Sequence, residues 1–267
     1  MDDVRLSALV IARNEEAGIA RCLEALSFCD EIVLVDAEST DRTVEIAREY
    51  TDRVWVEPWR GYSEQKSFAL AKCRGDWVLW IDADEVVSAE LRDEIVGATG
   101  AASIGDESAA TPVDGSTAMP VAYELSRRVF YLGGWIRHGG WGEDRVVRLF
   151  RRGRAQFSQD RVHERLLVDG PVESLSGVLE HYTYRGLAHH WEKIRNLASL
   201  GAEQAWERGR RASLGDLAFR PLARGLKIFV WKRGFLDGWR GAIIAGMGMA
   251  YVFLKYAMLR EKEERER

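Results

Sequence analysis

Two aspartates one residue apart, Asp82 and Asp84, close an uninterrupted apolar run, Trp77-Val78-Leu79-Trp80-Ile81. In an extended segment residues i and i+2 point the same way. Carboxylates at this spacing can therefore converge on one hard divalent cation, Mg2+ or Mn2+, and on the phosphates it carries. The competing reading of Asp82-Ala83-Asp84-Glu85 is a solvated turn before the next helix, because so short a motif recurs by chance. What surrounds it has to decide. A run of aromatic and β-branched residues suits a strand covered on both faces, as in a parallel sheet, and such sheets bind ligands beyond the carboxyl ends of their strands.

The pattern occurs upstream as well. Leu6 to Ile11 is an apolar run closed by Ala12-Arg13-Asn14-Glu15-Glu16, with Asn14 or Glu15 able to cap a helix through Leu23 and Leu26. Ile32 to Val35 ends on Asp36, and Ser39-Thr40-Asp41 opens a helix carrying Val44, Ala47 and Tyr50. Val54 to Val56 reads as a third strand and Tyr62 to Ala71 as a helix leading into the Trp77 run. Strands alternating with helices predict an α/β fold with a right-handed, largely parallel sheet. Loops after the strands then share one edge, gathering Asn14, Glu15, Asp36, Asp82 and Asp84 where a nucleotide could bind. Taken singly, Asn14 and Asp36 are equally explained by helix capping and turn chemistry.

Further along, Ala89 to Val96 reads as a helix, and Gly97 to Ala118, rich in small and polar residues, as a flexible insertion or linker. Val121, Tyr123 and Leu125 alternate and restart the sheet; glycine-rich turns then lead to Glu143, Asp144 and a strand at Val146 to Phe150. Between Arg127 and Arg165 ten arginines face four acids, an imbalance suited to a phosphorylated or carboxylated partner or to a solvated basic face. Leu187, Trp191, Ile194, Leu197 and Gly201 have helical spacing and predict a packing stripe. The expected division is 1–185 as the catalytic domain and 186–267 as a helical C-terminal region.

Composition sets the wider limits. With 267 residues, 46% of them hydrophobic, the chain has ample material for a core. The net charge of −4 conceals +7 between Phe219 and Arg260, leaving −11 elsewhere. The longest uncharged run there, Gly241 to Leu254, has fourteen residues against the roughly twenty that a spanning helix needs. It is expected to lie on a membrane or pack as a core helix, and its basic flanks suit an anionic membrane surface. Three cysteines without Cys-x-x-Cys spacing argue for a reducing compartment, and Met1-Asp2-Asp3 lacks the features of an export signal. A cytoplasmic location follows, and no nucleic acid is expected as a partner. Ala12 to Glu16 contains no glycine, which argues against a dehydrogenase or a sugar nucleotidyltransferase with a glycine-rich phosphate loop. An aspartyl phosphatase normally opens on its Asp-x-Asp, whereas three strand–helix units precede this one.

Taken in order, Val10 to Glu16, Val35 to Thr43, Gln65-Lys66, Asp82 to Glu85 and Glu143-Asp144 resemble the family-two inverting glycosyltransferases of GT-A fold. Arg148 to Arg152, Val162-His163-Glu164, His181 to Tyr184 and Gly234 to Trp239 resemble the subgroup that adds a sugar, often glucose, to the heptose of lipopolysaccharide inner core. The resemblance implies a GT-A-type mixed, mostly parallel sheet flanked by helices, with a helical C-terminal region. It implies a nucleotide diphosphate sugar donor, UDP-glucose, bordered by Ala12, Arg13, Asn14, Glu15, Asp36, Lys66, Asp82 and Ala83. Asp84, with Asp82 and His163, would hold the divalent cation, and Asp144 would be the catalytic base. The acceptor would be an acidic glycolipid at the inner face of the cytoplasmic membrane. The chain departs from the subgroup at Ala37-Glu38, usually Ser-Gly, and at Ser67, usually Asn, which bears on donor identity. The alternatives are a polyprenyl-phosphate glycosyltransferase and a catalytically silent glycolipid-binding scaffold.

Overall fold

The computed structural model describes residues 4–100, 119–142, 144–158 and 165–266. The chain forms two compact units: residues 1–127 with 144–181, and residues 128–143 with 182–267. The division expected from sequence differs in residues 128–143 and 182–185, which group with the helical region.

The first unit begins with β1 (Leu6–Ala12), α1 (Ile19–Glu24), β2 (Glu31–Asp36), α2 (Thr43–Ala47), β3 (Val54–Val56), α3 (Tyr62–Lys72) and β4 (Trp77–Asp82). It continues through β5 (Glu85–Val87), α4 (Ala89–Gly100) and β6 (Ala122–Tyr131), which carries the chain into the second unit. After β7 (Gly134–Trp135) there, the first unit resumes with β8 (Asp144–Arg151), β9 (Ala155–Phe157), β10 (Leu166–Val168) and β11 (Val172–His181). The large sheet runs β3-β2-β1-β4-β8-β6-β11-β5. Its first four strands are parallel; β8 is antiparallel to β4 and to β6, and β11 is antiparallel to β5. This is the mixed sheet, flanked by helices, that the resemblance implies.

Continuous apolar strands are divided between two layers by their period of two. Ala8, Val10 and Ala12 of β1, with Trp77, Leu79 and Ile81 of β4, pack on Ile19, Leu23 and Leu26 and on Leu91 and Ile95 of α4. Leu9, Ile11 and Val78 point the other way, onto Ala69 and Cys73 at α3 and onto Phe150 and Phe157. α4 can approach β11 because residue 177 is glycine; a Cβ there would lie 2.4 Å from Leu91 Cα. α4 extends through Gly100, four residues past the expected helix and into the expected insertion; residues 101–118 lie outside the described residues.

The second unit holds α5 (Leu187–Glu207), α6 (Leu214–Leu226), a π-helical turn at Lys227–Trp231, a 3-10 turn at Gly234–Asp237 and α7 (Gly238–Arg265). A capping box between Ser213 and Asp216 starts α6. The predicted α5 stripe is corrected here. Ile194 is buried, but the rest of the packed face is His190, Ala198, Ala202 and Ala205, while Leu187, Trp191 and Leu197 are exposed. Small residues let helices approach closely, and side chains of α7 do come near: a Cβ at Gly201 would meet Tyr251 Oη and Lys255 Cδ at 3.3 Å. α7 is also longer than the fourteen-residue run suggested. The segment 234–265 is long and apolar enough to cross a bilayer by length and composition, although α5 and α6 both pack against α7.

Candidate active site

The carboxyl ends of β2, β1 and β4 lie side by side, with Ala12 opposite Asp36 and Ile11 opposite Asp82 in register. Neighbouring strands stand about 4.8 Å apart, so two aspartates flank the end of β1 at about 10 Å from each other. Parallel pairing thus brings them together across a gap of 46 sequence positions.

On the β2 side the loop after β1 is tied to the loop after β2. Asn14, in the left-handed region at φ 55°, donates its N–H to Ser39 Oγ (2.8 Å) and accepts from the Thr40 N–H through Oδ1 (2.8 Å). The Glu15 N–H reaches Thr43 Oγ1 (2.8 Å), and the Ala12 carbonyl accepts from Ala37 (2.8 Å). Asp36 is fully buried and accepts from the Ser39 N–H (2.7 Å) and hydroxyl. The turn chemistry and the shared edge are therefore both present. Arg13 is exposed beside them.

On the β4 side the chain does not stay extended through Asp84. β4 stops at Asp82, Ala83 is buried in a turn, and β5 starts at Glu85. Asp82 thus ends a strand and Asp84 lies in the turn after it, so the extended segment that the i, i+2 argument assumed does not run through both. Asp82 Oδ2 pairs with Arg148 Nη2 at 2.5 Å, whereas Asp84 Oδ2 lies 3.3 Å from His181 Nε2. Glu85, opposite His181 in the β5–β11 ladder, is completely buried. It accepts from Arg148 (2.7 Å), from Arg127 (3.1 Å) and from the Asp82 N–H (3.0 Å). Arg127 in turn holds Asp144 through two bonds, Nη2–Oδ2 at 2.8 Å and Nε–Oδ1 at 3.1 Å. Charge thus alternates without a break from Asp82 through Arg148, Glu85 and Arg127 to Asp144, which is 52% exposed at its side chain.

Trp80 lies beneath this chain. The Arg148 guanidinium lies 3.8 Å from the indole centroid and the Lys66 ammonium 4.0 Å, two cations on one ring system. Lys66 is 2% exposed, so its charge acts from inside the protein. Burial alone would raise the Asp82 pKa, but Arg148 and then Lys66 overcome it and hold the carboxyl at about 2. Glu85 moves the opposite way: burial raises it and the Asp82 charge adds to that, against Arg148. Both arginines are held above their ordinary values, Arg148 by the Asp82 and Glu85 charges and Arg127 by its bonds to Asp144, each against the effect of burial.

Of the residues singled out in the sequence, Ala12, Arg13, Asn14, Glu15 and Asp36 gather on one side of the β1 end, and Lys66, Asp82, Ala83 and Asp84 on the other. Asp144 joins them through Arg127. His163 and Glu143 lie outside the described residues. Arg127, Arg148, His181 and Trp80 were given no role from sequence, although Arg148 and His181 sit inside the recognised motifs. The arginine excess suits an anionic partner or a solvated basic face, and several of these arginines make contacts within the protein: Arg152 donates to the Gly75 carbonyl, Arg154 to the Asp169 carbonyl, and Arg151 lies over Trp77.

Among the described residues no group of three His, Cys, Asp or Glu side chains forms a ready metal cage. Asp84 and His181 fit a more open arrangement, since magnesium-type ions are commonly held by one or two carboxylates plus substrate phosphates.

A family model for glycosyl transferase family 2 matches residues 7–99, which carry β1 to β4 and both aspartates of the motif. Across 95% of this chain and 93% of the relative, the sequence is 33% identical to the lipopolysaccharide core biosynthesis glycosyltransferase LpsC of Rhizobium meliloti (strain 1021). The chain belongs to glycosyl transferase family 2. It is also 32% identical to an uncharacterized glycosyltransferase of Rickettsia typhi, over 96% of this chain and 87% of the relative. Among solved structures, S. aureus TarS 1–349 in complex with UDP-GlcNAc is 14% identical over 99% of this chain and 93% of that one, with a TM-score of 0.45.

Proposed function

We propose that this glycosyltransferase moves a hexose, glucose, from UDP-glucose to a membrane glycolipid acceptor such as the heptose of lipopolysaccharide core, inverting the anomeric centre. The observation that carries the reading is the alternating charge chain that ties Asp82, beside the donor edge, to Asp144. Similarity to LpsC over nearly the whole chain supports the choice of acceptor.

In this reading the nucleoside lies along the β1 and β2 ends, where the Asn14–Ser39 and Glu15–Thr43 bonds fix the loop shape before donor arrives. Asp36, held by Ser39, faces the base or ribose. Lys66 and Arg148 supply positive potential from below, and Arg148 fixes Asp82 toward the ribose. Asp84 and His181 would hold a divalent cation, which when bound supplies Lewis-acid stabilisation of the diphosphate leaving group. Asp144, oriented by Arg127 and half open to solvent, takes the proton from the acceptor hydroxyl as that oxygen attacks the anomeric carbon from the face opposite the diphosphate. The C–O bond to diphosphate breaks as the new glycosidic bond forms.

The test is transfer of radiolabelled glucose from UDP-glucose to heptose-terminated lipopolysaccharide by the purified protein, with product anomer read by NMR. Asp144→Asn and Asp84→Ala should each abolish it. Full transfer by both variants with every donor tried would overturn the proposal.

A further inference from the structure

α6 wears its amphipathicity inside out. The strip that packs toward α7 is made of Pro221 and Gly225, both buried, and a Cβ at residue 225 would lie 2.5 Å from Met249 Sδ. The large apolar residues point outward instead. Ala218, Leu222 and Leu226 follow at four-residue steps with Phe219 beside them, and Phe219 is 72% and Leu226 63% exposed. The apolar surface continues through Val230 into Trp231, 87% exposed, and Phe235, Leu236 and Trp239 are exposed as well. A monomer in water does not normally expose so many large apolar side chains on one short segment.

A third strip of α6 gives the partner. Arg224 and Lys227 lie along the helix beside the apolar strip and Lys232 and Arg233 follow Trp231, while Arg220 is paired with Asp216 and lies over the Tyr256 ring. Apolar side chains bordered by Lys and Arg, with tryptophan along the border, match the layering of a bilayer surface, where acyl chains lie beneath anionic headgroups. A basic border is complementary to phosphatidylglycerol headgroups and repels a second copy of the same strip. The helix has thirteen residues, about 20 Å, and is too short to span.

We infer that α6 and the Lys227–Trp231 turn form a monotopic membrane-binding surface, with Phe219, Leu222, Leu226 and Trp231 entering the acyl boundary and Arg224 and Lys227 contacting anionic phospholipid headgroups. The inference deepens the membrane-acceptor reading by naming the surface that meets the bilayer. Binding is measured without donor or acceptor, so failed transfer leaves it standing, and its own failure leaves the transfer chemistry standing.

The experiment is sedimentation of the full chain with phosphatidylglycerol-containing vesicles and with pure phosphatidylcholine vesicles, across a salt series. Wild type should pellet with the anionic vesicles and be released as salt rises, because exposed charges are screened beyond about 8 Å at physiological ionic strength. Phe219→Ser with Leu226→Ser and Trp231→Ser, and separately Arg224→Glu with Lys227→Glu, should each weaken binding by at least about tenfold. Unaltered circular dichroism checks the fold; should the apolar variant fail to fold, the charge variant alone decides. Binding unchanged in the folded variants overturns the inference. So does retention of every variant through high salt and alkaline carbonate, which would assign the membrane to α7. Self-association that the apolar variant abolishes, with no vesicle binding by wild type, would assign the strip to a second copy and also overturn it.

Discussion

Arg127 and Asp144 are directly paired across the antiparallel β6–β8 ladder, and the guanidinium takes both carboxylate oxygens while its remaining Nη1 reaches Glu85 at 3.1 Å. The cross-strand register fixes where the Asp144 carboxylate points. In the proposed mechanism Asp144→Asn removes the proton acceptor and should lower transfer by about 100-fold or more. Arg127→Lys keeps a positive charge but loses the planar two-pronged contact. It should lower kcat by about tenfold with donor KM little altered, because the donor loops after β1 and β2 are untouched. Steady-state kinetics separates the two parameters; an unchanged kcat would remove Arg127 from the mechanism.

Arg148 is the cation shared by Asp82 and Glu85, and it is almost wholly buried. Removing one member of a buried ion group leaves the others uncompensated. Arg148→Met should therefore destabilise the first unit by about 3 kcal/mol, measured by urea unfolding. pH gives a second handle. The Asp82 carboxyl titrates at about 2 in the folded protein and near 3.9 when unfolded, so its stabilisation is complete above about pH 4 and is lost as pH falls toward 2. Asp82→Asn should lose less stability than wild type across that window. Equal slopes would mean that the pair with Arg148 does not form in solution.

The parts of the site legible in sequence were those carried by local pattern. The apolar runs that end on Asp36 and Asp82 are β2 and β4, whose carboxyl ends flank that of β1, because a strand buried on both faces must be apolar throughout and polar where it leaves the sheet. Long-range pairing was not legible: Arg148 meets Asp82 across 66 positions, and nothing in either neighbourhood announces the other. The turn at Ala83-Asp84 is one of the two readings the sequence leaves open, because Asp-x-Asp can serve as a strand end or a turn; the structure has the turn, followed by β5 rather than directly by a helix. The α5 stripe differs from its sequence pattern for a related reason. Helical periodicity finds the largest apolar residues, whereas α5 packs chiefly through alanines and leaves Leu187, Trp191 and Leu197 outside.

Gly177→Ala tests the contact between β11 and α4. A Cβ at that position would fall 2.4 Å from Leu91 Cα and 2.6 Å from its nitrogen, and a helix backbone cannot move aside as a flexible side chain can. The added methyl should cost about 1–3 kcal/mol in urea unfolding. Because β11 ends in His181, the same substitution should also weaken donor binding. A neutral effect on both would mean that the helix and strand stand further apart than described.

His190 provides a pH test confined to the second unit. It is 1% exposed, its Nδ1 lies 2.6 Å from Tyr131 Oη, and it is surrounded by Trp141 and Tyr184. Burial, reinforced by the charges of Lys193 and His189, pushes its pKa down to about 4, while burial pushes the Tyr131 hydroxyl up to about 12. The imidazole is therefore neutral near pH 7, with Tyr131 donating to Nδ1. As pH falls from about 6.5 the unfolded chain takes up a proton at this residue and the folded protein does not, so stability declines until pH reaches about 4. Integrated over that interval the loss is about 3 kcal/mol. His190→Gln retains an acceptor for Tyr131 but does not titrate, and its urea midpoint should stay nearly level from pH 6.5 to 4 where that of wild type falls. Parallel decline of the two proteins would show that the imidazole is not held neutral inside the fold.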